Sequence, residues 1–195
     1  MKDHKNKIVT IGIVISIFSL LVALANFTYG FATDRKNKLE KRQEELKTDN
    51  ERKLIQGPWL IKTTTNKTNI TDYSNMELSY RAVLNIDDRL NIGGDAFKIQ
   101  ERVSSRIITF SRSSQSKAEI TGSKTANEIY MRWKITDLKQ RESLQTMTGM
   151  FVNNDCFAGD FYNDVAEQWG KFTAAKLNSE ATYGNIDGYV EDKCK

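Results

Sequence analysis

The stretch "EIYMRWKI", from Glu128 to Ile135, alternates apolar and polar residues with a period of two. Its apolar face consists of Ile129, Met131, Trp133 and Ile135. Successive side chains of a β-strand point to opposite faces of the sheet, so the pattern predicts a strand that buries one face. Strands that show their other face to water are typical of antiparallel sheets.

The same alternation recurs after Gly57. "MELSYRAVLNI" (76–86) carries an apolar face made of Leu78, Tyr80, Ala82, Leu84 and Ile86. "SRIITFS" (105–111) and "SLQTMTGMFV" (143–152) also have the β-branched and aromatic composition of strands. Turn signals such as Asp87-Asp88 and Asn153-Asn154 separate these segments. These patterns therefore predict eight or nine short strands.

Short, sequential connections favour a meander of neighbouring strands, and closing such a sheet into a barrel removes its exposed edges. We predict an all-β fold, an antiparallel, lipocalin-like meander barrel of about eight strands over residues 57–178. Residues 179–195 form a C-terminal extension. A two-sheet sandwich is the alternative fold. Trp59, Trp133 and Trp169 are expected in the core or as plugs at the barrel ends.

An uncharged segment of 25 residues, Ile8–Ala32, precedes the domain. About 20 helical residues cross a bilayer, whereas the apolar region of a signal peptide has roughly 7–15. Ala23-Leu24-Ala25 resembles a cleavage site, but the apolar run continues past it. We therefore predict an N-terminal tail over 1–7, a transmembrane helix over 8–32 and a charged helical stalk over 33–56.

Basic residues around this segment predict its orientation. Three lysines precede it, and six Lys or Arg residues lie between Thr33 and Thr48. Because basic flanks favour the cytoplasmic side, we expect a single-pass protein of the inner (cell) membrane with its C-terminal domain in the cytoplasm. The lipid bilayer is then a partner through residues 8–32.

Charge and composition exclude several functions for the domain. From Gly57 to Lys195 there are 18 basic and 18 acidic side chains, so no basic excess favours DNA or RNA. The one histidine is His4, so the domain after Gly57 contains none. This excludes Ser-His-Asp catalysis, Cys-His catalysis and histidine-ligated zinc in the domain. No Walker-type loop is present. We predict a protein that is not an enzyme and has no metal or cofactor.

Two sets of residues are candidates for ligand binding. The basic residues Arg102, Arg106, Arg112 and Lys117 are either a solvated sheet face or a subsite for phosphate, which Arg binds with two hydrogen bonds. For a nucleotide ligand, we predict that Trp59, Tyr80 and Trp133 stack on bases and that Arg106 holds a phosphate.

An N-terminal membrane segment, a charged stalk and a compact barrel resemble the membrane-anchored β-barrel effectors of bacterial cyclic-oligonucleotide antiphage signalling (CBASS). The local similarities are "GPW" (57–59), "GDAFKIQE" (94–101) and "MTGMF…FAGDF" (147–161). The resemblance implies that the barrel binds a cyclic dinucleotide, that the protein self-associates and that its membrane segments breach the inner membrane. Those effectors usually carry two spans, whereas this sequence has one.

The alternative is a lipocalin-like barrel on the outer side of the membrane. It would bind a lipid or an apolar ligand, or serve as a structural or interaction module. Cys156 and Cys194 bear on this choice, because disulfides persist in oxidising compartments and cysteines stay reduced in the cytosol. A bond between the two would favour the outer barrel, and a reduced pair would favour the cytoplasmic effector.

Overall fold

The computed structural model describes residues 2–70, 73–111, 116–165, 167–178 and 185–195. In the N-terminal helix, the side chains of residues 2–18, 21, 23, 25, 28 and 30–32 are outside this description. The chain divides into two compact units, 1–47 and 48–195, each of which is considered by itself.

One long helix, α1 (Lys2–Ile55), covers the predicted tail, membrane segment and stalk. Its second half is rich in Lys, Glu and Leu, which are good helix formers. The ion pair of Lys38 with Asp34 is exposed and contributes little stability. Across the described parts of the chain, no helix combines the length and the apolar character that crossing a membrane requires. Most side chains of the predicted span, residues 8–32, lie outside those parts.

Within the described residues, nine antiparallel strands follow α1. They are β1 (Gly57–Lys67), β2 (Glu77–Ile86), β3 (Asn91–Val103), β4 (Arg106–Thr109), β5 (Lys117–Lys124), β6 (Ile129–Thr136), β7 (Glu142–Asn153), β8 (Cys156–Asn163) and β9 (Gln168–Lys176). Each strand of the sheet pairs with its neighbours in the order β2-β1-β9-β8-β7-β6-β5-β3-β4, and β2 also pairs with β3. The added pairing closes eight strands into a barrel and leaves β4 attached to β3. The predicted eight-stranded barrel is confirmed, and the two-sheet alternative is wrong because one sheet closes on itself.

The barrel interior is packed with apolar side chains. Its largest members include Trp59, Ile61, Tyr80, Leu84, Ile120, Met131, Trp133, Met147, Phe157 and Phe172. The predicted inward faces of β2 and β6 are confirmed, since their apolar residues are buried or partly buried. Trp169 is predicted to lie in the core or to plug a barrel end, but 42% of it is exposed and it packs on Tyr162. It alternates with the buried residues Gln168 and Gly170 and therefore faces outward.

The last turn of α1 closes one end of the barrel, which we call the helical end. Ile55 is fully buried in the core, and its carbonyl accepts a 2.6 Å hydrogen bond from the indole Nε1 of Trp59. Lys124 is buried beside Glu51, with 3.3 Å between the ammonium and the carboxylate. The opposite end, where β1 ends and β2 begins, is called the distal end.

At the distal end, β3 changes partners. Up to Phe97 it pairs with β5, and from Gln100 onward it pairs with β4. The register with β2 shifts at the same place, so that Ile99 is an extra residue, as in a β-bulge. Bulges bend the strand that carries them. The hairpin of β3 and β4 thus separates from β5 here, while β3 stays paired with β2 as far as Arg102.

A short helix, α2 (Ile186–Lys193), packs on the outer wall of the barrel. Its buried residue Val190 lies against Leu60, Ala175 and Leu177. Cys194 forms a disulfide with Cys156 at the start of β8. The hydroxyl of Tyr189 donates a 2.7 Å hydrogen bond to the carbonyl of Lys176. These contacts hold the helix against β1 and β9.

Candidate ligand-binding site

The outer wall of the barrel carries a pocket of about 1050 Å³ between β2, β3, β4 and the start of α2. Arg81 and Val83 line it, and both are exposed residues that alternate with the buried Tyr80, Ala82 and Leu84. The pocket is therefore separate from the barrel core. Its volume is slightly above the usual range for small-molecule sites, about 300–1,000 Å³.

One part of the pocket lining is apolar. It consists of Val83, Phe97, Ile99, Ile107, Phe110 and Ile186. The bulge residue Ile99 lies where β3 exchanges β5 for β4 as its partner, and both Ile99 and Ile107 of β4 line the pocket. Two of the six side chains are phenylalanines, whose rings offer flat surfaces to a planar ligand group.

The other part is basic. Among the described residues, Arg81, Arg102 and Lys117 line the pocket, and Asp187 is the one acidic lining residue. Register explains why they meet. Arg81 pairs with Phe97 on β3, Phe97 pairs with Lys117 on β5, and Arg102 lies farther along the same face of β3. The lining therefore carries an excess of positive charge.

Asp187 connects α2 to the basic side of the pocket. Its carboxylate lies 2.7 Å from Lys62 Nζ and 2.8 Å from a guanidinium nitrogen of Arg102. Glu77 completes the network, 3.2 Å from Lys62 and 3.1 Å from Arg102. The hydrogen bond from Lys62, together with that from Arg102, holds the pKa of Asp187 below its usual value, although partial burial opposes the shift.

The three aromatic residues predicted to bind the ligand lie in two places, both away from the outer pocket. Tyr80 and Trp133 meet inside the barrel, where their rings make an edge contact with centroids 5.3 Å apart. Both are almost fully buried, and burial raises the pKa of the Tyr80 hydroxyl. Trp59 is at the helical end, packed against Phe157 with its indole N–H bonded to Ile55. None of these three lines the outer pocket.

The predicted basic group is only partly brought together. Arg102 and Lys117 line the pocket, but Arg106 does not, and Arg112 lies outside the described residues. Arg106 is exposed at the start of β4. Because Arg102 pairs with Ile107, Arg106 is one residue out of phase and belongs to the opposite face of the hairpin.

Sequence reasoning missed Arg81, Phe97 and Asp187. The alternation of β2 does place Arg81 on the water face, which is a signal for a polar surface but not for a pocket. Asp187 comes from the C-terminal extension, for which the sequence carries no pattern that indicates where it packs.

The pocket can bind a charged group and an apolar group side by side. The described residues contain no cluster of three or more His, Cys, Asp or Glu side chains that could hold a metal ion. The lining supplies hydrogen-bond donors with positive charge beside apolar and aromatic surface. These are the features that recognise a small amphipathic anion.

Comparison with known proteins gives similarity in structure only. No family model matches the chain, and no curated protein matches it significantly. A redesigned β-barrel, b11L5F_LGL, matches with a TM-score of 0.47 and 11% identity, covering 64% of this chain and 93% of that one. The redesigned barrel mFAP1 bound to DFHBI matches at 0.44 and 10% identity, covering 64% and 95%. EF1p2_mFAP2b bound to DFHBI matches at 0.45 and 11%, covering 64% and 94%.

Proposed function

We propose that this protein is a membrane-anchored β-barrel that binds a small amphipathic anion in its outer pocket. The observation that carries the proposal is the pocket itself, about 1050 Å³ with Arg81, Arg102 and Lys117 beside six apolar side chains. A cyclic dinucleotide is the first candidate ligand. Its two phosphates match the basic side chains, and its two bases match the aromatic surface of Phe97 and Phe110.

The anchor is proposed from the sequence. The 25 uncharged residues from Ile8 to Ala32 are long enough to span a bilayer, and the basic flank after them favours a cytoplasmic barrel. In this proposal the ligand binds a self-associated form more tightly than the monomer, and so shifts the protein toward that form. Assembly of the anchors then disrupts the inner membrane, as the resemblance to CBASS effectors implies.

A binding experiment with a matched pair of variants tests the site. Calorimetric titration of the full-length chain with cyclic di-AMP, cyclic di-GMP and cyclic GMP–AMP should reveal saturable binding of at least one. Arg102→Ala should weaken that binding about tenfold or more, because it removes a charge-assisted hydrogen bond. Arg106→Ala is the control, since the same residue type is lost four positions away on the opposite face. Equal loss in both variants would contradict this site.

The membrane steps need separate measurements. Sedimentation with and without the bound nucleotide should show a larger species with it. Release of a dye from vesicles that contain the full-length chain should then depend on the nucleotide. If the nucleotide binds but causes neither a larger species nor dye release, the effector mechanism is rejected. The protein would then be a ligand-binding barrel only.

A second candidate function is favoured by the bond between Cys156 and Cys194. Disulfides persist in oxidising compartments, so the bond favours a barrel on the outer side of the membrane. In that case the apolar lining would take an acyl chain and the basic residues its acidic headgroup. Oleate and lysophosphatidylglycerol are the probes for this alternative.

The two candidates differ in where the C-terminus lies. Fusion of alkaline phosphatase, which is active only outside the cytoplasm, and of green fluorescent protein, which is fluorescent inside, distinguishes them directly. Phosphatase activity without fluorescence would exclude the cytoplasmic effector. The opposite result, together with reduced cysteines in the cell, would exclude the outer barrel.

A further inference from the structure

The short helix α2 connects the disulfide to the outer pocket. The N-terminal end of α2 lies in the pocket lining, to which Asn185, Ile186 and Asp187 contribute. The C-terminal end is followed directly by Cys194, which is bonded to Cys156 on β8. The eight helical residues extend about 12 Å, at a rise of about 1.5 Å for each residue. One secondary-structure element therefore joins a ligand pocket to a bond that thiols can reduce.

The position of α2 depends on contacts at its two ends. Isolated helices shorter than about 12–15 residues are marginal in water, so α2 needs the barrel wall to stay folded. Of its residues, all of which the structure describes, only Val190 is fully buried. Its polar attachments include the ion pairs of Asp187 at one end and that of Lys193 with Asp155 at the other. Without the disulfide, α2 is held by one buried apolar side chain and by polar contacts that water can replace.

In its docked position α2 places a carboxylate on the basic side of the pocket. Asp187 lies 2.8 Å from Arg102, which lines the pocket, and 2.7 Å from Lys62. A phosphate or carboxylate of a ligand requires the same guanidinium, because it accepts the same charge-assisted hydrogen bonds. When α2 leaves the wall, Arg102 loses Asp187 and keeps Glu77, at 3.1 Å, as a carboxylate partner. The docked helix therefore opposes binding of an anion, and its release favours binding.

The two cysteines of the disulfide differ in their accessibility. Cys156 is 0% exposed, whereas Cys194 is only partly buried. The thiolate of a protein dithiol therefore attacks Sγ of Cys194, and the S–S bond breaks. The sulfur of Cys156 leaves as a thiolate and takes a proton. The second thiol of the reductant then displaces Cys194, which leaves as a thiol, and closes the reductant's own disulfide. Two electrons and two protons pass from the dithiol to the cysteine pair.

We propose that α2 is a redox-controlled inhibitory helix of the outer pocket. In the oxidised protein the Cys156–Cys194 bond keeps α2 on the barrel and Asp187 on Arg102, so the pocket binds its anion weakly. Reduction by a protein dithiol lets α2 leave the wall, removes the competing carboxylate and raises the affinity for the anion. This inference rests on the proposed anionic ligand of the outer pocket, and it adds a regulation that acts from the other end of the helix.

The first test compares the oxidised and the reduced full-length chain by calorimetric titration. Cyclic di-AMP, cyclic di-GMP, cyclic GMP–AMP and oleate are the probes, with and without dithiothreitol. The probe that binds should bind the reduced chain at least about fivefold more tightly than the oxidised chain. Cys156→Ala/Cys194→Ala should match the reduced chain and should not respond to dithiothreitol. Equal affinity in both states would overturn the inference and leave the proposed site intact, whereas binding of no probe in either state would reject both.

The second test asks whether Asp187 carries the response. Asp187→Asn removes the competing charge in both redox states, so dithiothreitol should change the affinity of this variant by less than about twofold. Asp192→Asn is the control and should keep the full response, because Asp192 is an exposed residue of the same helix that pairs with Lys195. A full response in Asp187→Asn would overturn the role of this carboxylate.

Hydrogen exchange separates release of α2 from a general loss of stability, and it requires no ligand. Reduction should speed exchange of the amides of residues 186–193 at least about tenfold more than it speeds exchange in β1 and β9. If α2 loses no more protection than these strands, the disulfide does not control the helix and the inference is wrong. If α2 is released and the anion then binds more weakly, the helix is a required wall of the pocket, which also overturns the inference.

Discussion

The guanidinium of Arg102 donates a hydrogen bond to the carboxylate of Asp187 at 2.8 Å, although 85 residues separate them along the chain. The contact places an acidic group of the protein on one of the cations that line the outer pocket. Lys62, on β1, is held by the same carboxylate. An anionic ligand that binds Arg102 must therefore share it with Asp187 or displace the carboxylate.

The substitution Asp187→Asn should strengthen binding of an anionic ligand in the outer pocket by several-fold. It removes the competing negative charge from Arg102 and Lys62 while keeping a side chain of the same size. Calorimetric titration with the cyclic dinucleotide that binds best measures the change. Asp192→Asn is the control, since Asp192 is exposed and pairs with Lys195 instead. Weaker binding by the Asp187 variant would show that the carboxylate positions the arginine for the ligand.

The contribution of Asp187 to stability should disappear in acid. Its pKa is lowered in the folded state, so its stabilisation is fully present above the unfolded value of about 3.9 and is lost as pH falls through the folded pKa. Denaturant unfolding of the native chain and of Asp187→Asn, followed from pH 7 to pH 2, should give a difference that shrinks below about pH 4. If the difference between the two unfolding free energies stays constant over this range, the lowered pKa of Asp187 does not contribute to stability.

Loss of the disulfide should destabilise the barrel unit by about 2–4 kcal/mol, as expected for a cross-link across a loop of this length. The double variant Cys156→Ala/Cys194→Ala avoids free thiols, and urea unfolding measures its free energy. A reducing agent should lower the stability of the native chain to a similar extent and leave the double variant unchanged. An effect of the agent on the double variant would indicate another target.

Removing one partner of the Lys124–Glu51 ion pair at the helical end should lower the free energy of unfolding more than replacing both partners with apolar residues. Lys124→Met leaves the carboxylate of Glu51 without its partner in a site that is only 19% exposed, and we expect a loss of about 1–3 kcal/mol. The double variant Lys124→Met/Glu51→Leu should recover most of this loss, because both charges are then replaced by apolar groups. Additive losses in a double-mutant cycle of unfolding free energies would show that the pair is not coupled.

The barrel could be predicted from the sequence because each strand carries its own signal. The alternation in residues 76–86 and 128–135 specifies which side chains face inward, and the structure buries those side chains. The turn after β2 could also be predicted from the sequence, because it depends on Asp87 itself. The carboxylate of Asp87 accepts hydrogen bonds from the backbone N–H groups of Arg89 and Asn91. Such features depend on neighbours along the chain.

The candidate site depends on contacts between distant segments. Arg102 and Arg106 are both basic and near in sequence, yet the pairing of Arg102 with Ile107 places them on opposite faces. Asp187 reaches the pocket because α2 packs on β1 and β9 through Val190. Sequence periodicity carries no information on these pairings.

Closure of the barrel has a consequence for how the chain folds. The seam joins the first strand of the domain to the last, and pairs Trp59 with Lys176. Such a topology has a high contact order, because the loop between the partners must be closed before their pairing can stabilise it. During translation β1 therefore emerges long before β9 and presents an unpaired edge until the rest of the domain has left the ribosome. Synthesis is the interval in which this protein is most exposed to aggregation.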